Sequence, residues 1–161
     1  MVDIQTISIA VASASVTIAA VYYVWQIRHQ TKIRRADLIM RLHSQAGSKE
    51  FIEAYQKVAS IQFSDYDDFV KKFGPLYAEG PEQTAIIMIA FFMEGVGVLL
   101  HKKLADIEAL DELFPIQNGW RKLAPVLLGT RKQYGRPSIY EWFEYLYNEV
   151  TKREQKLQSE I

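Results

Sequence analysis

The stretch TISIAVASASVTIAAVYYVWQIRHQTKIRR, residues 6–35, begins as an uncharged apolar run and ends in a cluster of basic side chains. Residues 4–27 carry no formal charge, and as a helix they would extend about 36 Å at 1.5 Å per residue. This run is long enough to cross a hydrocarbon core about 30 Å thick with some tilt. We therefore predict an N-terminal transmembrane helix. The alternative is a core helix of a soluble protein, although such helices are seldom this long without a polar face.

The charges on either side of the run predict its orientation. Asp3 precedes it, whereas a secretory signal peptide has positive charge before its apolar core, so we expect the segment to be retained. The basic juxtamembrane residues that follow are Arg28, Lys32, Arg34 and Arg35. Such a cluster stays in the cytoplasm, where it either binds anionic lipid or only orients the protein. We expect a cell (inner) membrane protein with its amino terminus outside and its carboxy-terminal domain cytoplasmic.

The predicted span is rich in Ala, Ser and Thr rather than Leu. At 100° per residue its small side chains fall on two faces about 150° apart. The first face comprises Ser8, Ala12, Ser15 and Ala19, and the second comprises Ala10, Ser13, Thr17 and Ala20. Small faces let helix backbones approach closely, so two of them predict helix association in a ring or a larger membrane complex. The alternative is that small residues are merely tolerated in a single anchor.

The rest of the chain has helical periodicity and no strand signal. The predicted fold is therefore all-α, with the transmembrane helix continuing into a stalk that is followed by a cytoplasmic helical bundle. We assign residues 1–27 to the membrane helix with a short outer end, 28–47 to the basic helical stalk and 48–161 to the bundle.

Capping and helix-breaking residues predict where the later helices begin and end. Gly47 stops the stalk and Ser48 caps the next helix. A third helix is expected to begin at Ser64 or Asp65 and to end at Gly74 with Pro75, and a fourth to begin at Gly80 with Pro81. A later helix is expected from about Gln117 to Gln133, and the last helix is expected to be capped by Ser138, three residues before Glu141. The second helix is expected to turn Phe51, Ile52, Tyr55, Val58 and Ala59 inward, and the last helix Ile139, Trp142, Phe143, Leu146, Tyr147 and Val150.

Residues 84–100 are apolar except for Glu94 and form the strongest competitor for a second span. We predict a central core helix instead, because the run is short and a charge in lipid costs about 3 kcal/mol. Whether residues 84–100 contact lipid is left open. Glu94 is the candidate buried carboxylate. We expect it to pair with Arg121 or Arg131, the alternative being a catalytic acid of raised pKa.

The sequence lacks the residues that several classes of chemistry require. The chain has no Cys, which excludes disulfides, thiolate metal sites and a cysteine nucleophile. His29, His43 and His101 are too scattered to suggest a metal site, and the pair Gly95 and Gly97 lacks the third glycine of a dinucleotide loop and is expected to permit close helix packing. The net charge of zero argues against a nucleic-acid partner. We expect no enzyme activity, cofactor or metal.

Three segments carry a resemblance to a known family: RRADLIMRLH, FFMEGVGVLL and WRKLAPVLLGTRKQYGRPSIYEWFEYL, which begin at residues 34, 91 and 120. In these segments the chain resembles the small prokaryotic membrane-anchored helical proteins that are grouped as a domain of unknown function. The similarity covers residues 25–153, and residues 130–146 are its most specific part. It implies one amino-terminal transmembrane helix followed by a cytoplasmic helical domain, and it carries over no catalytic residue.

Together these features predict a non-enzymatic single-pass membrane protein that acts as an assembly or scaffold module or as an accessory subunit. Its expected partners are membrane lipid and either further copies of itself, as a homo-oligomer, or other subunits of a membrane complex. The alternative is a membrane-tethered sensor or regulator that binds a ligand or a protein in the bundle near Glu94.

Overall fold

The computed structural model describes residues 3–159, apart from the side chains of Thr6 and Ala10. The helices are α1 (Ile4–Ala46), α2 (Lys49–Ser60), α3 (Tyr66–Phe73), α4 (Pro81–His101), α5 (Ile107–Leu113), α6 (Ile116–Tyr134) and α7 (Glu141–Ser159). No strand occurs within residues 3–159, so the all-α prediction is confirmed. The chain divides into two compact units between Leu38 and Ile39, a point inside the predicted stalk.

The first unit is the part of α1 that precedes Ile39. The sequence contains no Pro or Gly before Gly47, and α1 accordingly runs without a break to Ala46, as predicted. Every side chain described in residues 3–37 is exposed, including Ile9, Ile18 and Val21 at 67%, 69% and 66%. This helix is long and apolar enough to cross a membrane.

The second unit, from Ile39 onward, is a compact helical unit with α4 at its core. Helix α4 packs against α2, α6 and α7, and α6 packs in turn against α3 and α7. Its side chains Ile86, Ile89 and Met93 are at most 1% exposed, which agrees with the predicted core helix. Its other side is not covered, since Phe91 is 73% exposed. By length and composition alone, α4 also qualifies as a candidate span.

Most predicted helix boundaries are confirmed because their capping interactions form. The Ser48 side chain accepts a hydrogen bond from the Phe51 amide at 3.2 Å, and Asp65 accepts one from the Asp68 amide at 2.9 Å. Gly74 ends α3 with φ of 85°, a conformation that favours glycine. The Ser48 and Asp65 side chains satisfy amide groups that the first turn of a helix leaves without partners.

The start of α7 differs from the prediction. The helix begins at Glu141 rather than after a Ser138 cap, because residues 137–140 form turns in which the Glu141 amide donates to the Ser138 carbonyl at 3.3 Å. Tyr140, directly before the helix, has a left-handed φ of 53°. Of the predicted stripe, Phe143, Leu146 and Val150 are buried, whereas Ile139, Trp142 and Tyr147 are partly buried.

The inward face of α2 also differs from the prediction. Phe51 and Val58 are buried together with Ala54, whereas Ile52 and Ala59 are exposed. The buried face of α2 is therefore rotated from the predicted stripe toward Ala54.

Candidate functional site

Glu94 lies on α4 and reaches the first turn of α7. Its Oε2 accepts a hydrogen bond from the Phe143 amide at 2.8 Å, and the Trp142 amide also interacts with this carboxyl group. The first amides of a helix lack intrahelical acceptors and carry the positive end of the helix dipole, so a carboxylate is a suitable cap. Glu94 thus supplies to α7 the cap that the sequence assigned to Ser138.

Gly97 allows this contact to form. A Cβ atom at this position would overlap the backbone carbonyl of Trp142, so α4 and the start of α7 are closer than any larger residue permits. This confirms the prediction of close packing for Gly97. Gly95, in contrast, faces open space, since a Cβ there would have no neighbour within 4 Å.

Arg131 holds the connection between α6 and α7. Its Nε donates to the Ile139 carbonyl at 2.7 Å, its Nη2 donates to the Tyr140 carbonyl at 3.1 Å, and its Nη1 pairs with Glu144. The side chain is only 13% exposed. One guanidinium group therefore fixes both the turn and the first helical turn that follows it, and it helps to hold Tyr140 in its left-handed conformation.

The predicted ion pair of Glu94 with Arg121 or Arg131 is wrong. Arg131 pairs with Glu144, Arg121 donates to Gln117 at 2.9 Å, and Glu94 is half-buried rather than buried. Backbone amides replace the expected cation because the start of a helix offers both donors and positive potential.

The surroundings of Glu94 shift the pKa of its carboxyl group. Burial raises the pKa of this carboxyl group above its usual range, the Phe143 and Trp142 amides oppose the rise, and nearby Glu141 adds to it while Arg131 opposes it. Burial also raises the pKa of Tyr140, with Tyr77 and Glu94 as smaller causes. Raised pKa values occur at catalytic acids, but Glu94 is committed to the backbone of α7, which favours the structural interpretation.

A groove lies elsewhere on the helical unit, away from the α4–α7 contact. Its volume is about 340 Å³, which is within the range of ligand pockets. It is lined by His43, Ala46, Gly47, Phe51, Ile52, Tyr55, Gln56, Met93, Leu113, Phe114 and Pro115. Phe92 makes edge-to-face contacts with two of these lining residues, Phe51 and Phe114, with ring centroids 4.8 and 5.5 Å away. Sequence reasoning missed this groove because its wall combines the ends of separate helices.

The histidines remain apart in the folded chain. His101 packs on Trp142 with ring centroids 4.3 Å apart, His29 stacks on Trp25 at 5.6 Å, and His43 lines the groove. Over the part of the chain that the structure describes, no three His, Asp or Glu side chains form a group that could hold a metal ion.

The two small faces of α1 are open along their described length. The hydroxyl groups of Ser13, Ser15 and Thr17 donate to carbonyls four residues earlier, at 2.8, 2.8 and 2.9 Å. The described residues Ser8, Ala12, Ala19 and Ala20 are exposed, whereas the Ala10 side chain lies outside the described residues. Since three hydroxyl hydrogens are used within the helix, these faces offer close packing rather than free donors.

The basic cluster is exposed on the same helix. Arg28, Lys32 and Arg35 line a shallow concavity together with Trp25 and His29, and Arg34 lies beside it in sequence. All of these residues belong to one helical segment, so their spacing along α1 alone brings them together.

The architecture defines a class of protein: an all-helical chain in which a long, exposed apolar helix precedes a compact helical unit. The chain belongs to the family described as a domain of unknown function, DUF4760, which matches residues 9–150. The match begins earlier than residue 25, where the resemblance was expected to start, and so includes most of the apolar part of α1. No curated protein and no solved structure matches the chain.

Proposed function

We propose that this protein is a non-enzymatic, single-pass membrane protein that acts as an assembly or scaffold module or as an accessory subunit. In this proposal residues 4–27 cross the cell membrane with the amino terminus outside, and α2–α7 form a cytoplasmic bundle. The observation that carries the proposal is the exposure of apolar side chains along α1, such as Ile9, Ile18 and Val21. Such a surface requires lipid or other apolar helices around it.

The proposal of a single membrane span depends on α4 remaining in the helical unit. Moving α4 into lipid would remove Ile86, Ile89 and Met93 from the core of the helical unit and would separate Glu94 from the amides of α7. The same helix then serves better as the centre of a cytoplasmic bundle than as a second span.

The structural partners of the charged side chains favour a role in assembly over a role in catalysis. Glu94 caps α7 and Arg131 holds a turn, so the charged groups nearest the core have structural partners. The two small faces of α1 supply surfaces on which neighbouring membrane helices can pack closely.

The groove supports the second candidate, a membrane-tethered sensor or regulator. Its apolar walls and the polar groups of His43 and Gln56 suit a small, mainly apolar ligand. It lies away from the Glu94 carboxylate that the sequence singled out for this role.

Cysteine labelling in intact cells tests the topology, because the chain has no native Cys. The variants are Gln5→Cys at the outer end of the span and Glu53→Cys on α2, both at exposed positions. A membrane-impermeant maleimide should label position 5 in intact cells and position 53 only after permeabilisation. The opposite pattern contradicts the orientation, and release of the protein from membranes by alkaline washing contradicts the span. Native mass spectrometry of the full chain in mild detergent then distinguishes a multimer or complex from a monomer.

A further inference from the structure

The exposed side of α4 has the spacing of a coiled-coil seam. The α4 seam comprises Thr84, Met88, Phe91, Gly95, Val98 and Lys102, which alternate at intervals of four and three residues. Met88 is 38% and Phe91 73% exposed, although their neighbours Ile89, Ala90 and Phe92 are buried. Intervals of four and three place side chains in one line along a helix, which is the pattern by which two helices interlock. The helical unit leaves this line exposed except at Val98, which is partly buried.

The α4 seam is complementary to itself in shape. Phe91 projects from it, and Gly95, one turn later, leaves open space where a side chain would stand. If two copies of α4 run antiparallel about a twofold axis near position 93, Phe91 of each copy lies over Gly95 of the other. The same register sets Met88 against Val98. A twofold interface uses the same surface in both copies, so one projection and one hollow on a single helix are sufficient.

The charges at the two ends of α4 select the antiparallel direction. Exposed Glu79 lies just before its start and exposed Lys102 directly after its end, whereas Glu82 is paired with Lys57 of α2 at 2.7 Å. Antiparallel packing brings the acidic end of one copy to the basic end of the other and opposes the two helix dipoles. Parallel packing would set like charges side by side.

We propose that the α4 seam is an interface between two copies of this chain, packed antiparallel with Phe91 over the partner's Gly95. The inference rests on the proposed function and deepens it, because it names the surface through which the cytoplasmic part self-associates. Lipid is the competing occupant.

Disulfide cross-linking of the full chain in native membranes tests the register. The double variant Met88→Cys with Val98→Cys should give a covalent dimer on mild oxidation, because the register places position 88 opposite position 98. Each single variant should remain uncross-linked, because identical positions would be about 15 Å apart along the axis, beyond the reach of a disulfide. Leu157→Cys, exposed on α7 and outside the seam, is the control and should not cross-link.

The outcome of the cross-linking is decisive in each direction. A dimer from a single seam variant indicates parallel packing and overturns the proposal, as does the absence of a dimer from the double variant. If position 88 is instead protected from a water-soluble maleimide in membranes without cross-linking, lipid covers the seam and the proposal is wrong.

Two further variants separate this inference from the proposed function. Phe91→Lys and Gly95→Leu alter exposed positions, so the helical content should be unchanged, while the dimer fraction in native mass spectrometry should fall at least tenfold. A wild-type multimer that both variants retain overturns only the seam, and assembly through α1 stands. A wild-type chain that is monomeric in native membranes and in detergent overturns both.

Discussion

Glu94 joins two helices through a single carboxyl group, and its removal should weaken α7. We predict that Glu94→Ala lowers the free energy of unfolding by about 1 kcal/mol, the usual cost of losing a helix cap. Glu94→Gln should lose less, because its amide oxygen can still accept from the Phe143 amide. Urea unfolding of the full chain in detergent measures both. Equal losses in the two variants would show that the oxygen atom does not act as a cap.

The raised pKa of Glu94 predicts a specific dependence of stability on pH. The folded chain binds the proton more tightly than the unfolded chain does, so the contribution of this group is most favourable at low pH and is lost as pH rises from the usual value of 4.5 through the higher folded pKa. The difference in melting temperature between wild type and Glu94→Gln should therefore shift against wild type over that range. A difference that is flat with pH, or that shifts in favour of wild type, contradicts the prediction. Subtraction removes the opposite effect of carboxylates such as Asp68, whose pKa is lowered mainly by the hydrogen bond from Lys72.

Gly97 provides a test of the close approach between α4 and α7. Alanine normally favours a helix over glycine by about 1 kcal/mol. At position 97 we predict a net loss of stability instead, because the new Cβ would overlap the Trp142 carbonyl. Gly119→Ala on α6 is the matched control, since its Cβ would make an ordinary 3.5 Å contact with Phe143. If thermal melting gives the two variants the same sign, the approach is looser than described.

At the scale of the elements, the turn between α6 and α7 depends on one side chain. We predict that Arg131→Met destabilises the chain by about 2–4 kcal/mol, because it leaves the Ile139 and Tyr140 carbonyls and Glu144 without their donor. Arg131→Lys should recover only part of this, since an ammonium group cannot reproduce the planar arrangement of donors. Arg121→Met, at an exposed position of the same helix, should change stability by less than about 0.5 kcal/mol.

The small faces of α1 predict a second effect at the level of an element. Ala12→Leu with Ser15→Leu should improve insertion while reducing assembly, because bulky side chains keep helix backbones apart in lipid, where apolar surface alone gives no attraction. Ser13→Leu with Thr17→Leu tests the second face. A ring requires both faces and a symmetric dimer only one. If both double variants keep the wild-type mass in native mass spectrometry, the span is only an anchor.

The sequence predicted those elements whose determinants are local. Ser48, Asp65 and Pro81 act within one turn of their own position, so their helices begin where expected. The start of α7 could not be read in this way, because its cap, Glu94, comes from a residue 49 positions earlier. The groove escaped detection for the same reason, since no periodicity within one helix reports a wall shared by several.

For the whole molecule, the contact between α4 and α7 has a consequence during synthesis. Helix α4 leaves the ribosome well before α7 exists, so a nascent chain that ends near Tyr134 presents both the Gly97 face and the Glu94 carboxylate without their partner. An apolar helix in that state is open to aggregation or to premature entry into lipid. Entry of α4 into lipid has an unfavourable free energy, because it would carry the Glu94 carboxylate into the membrane. In the proposed single-span topology, Glu94 would thus oppose insertion of the unfinished chain into lipid before it caps the helix that completes the fold.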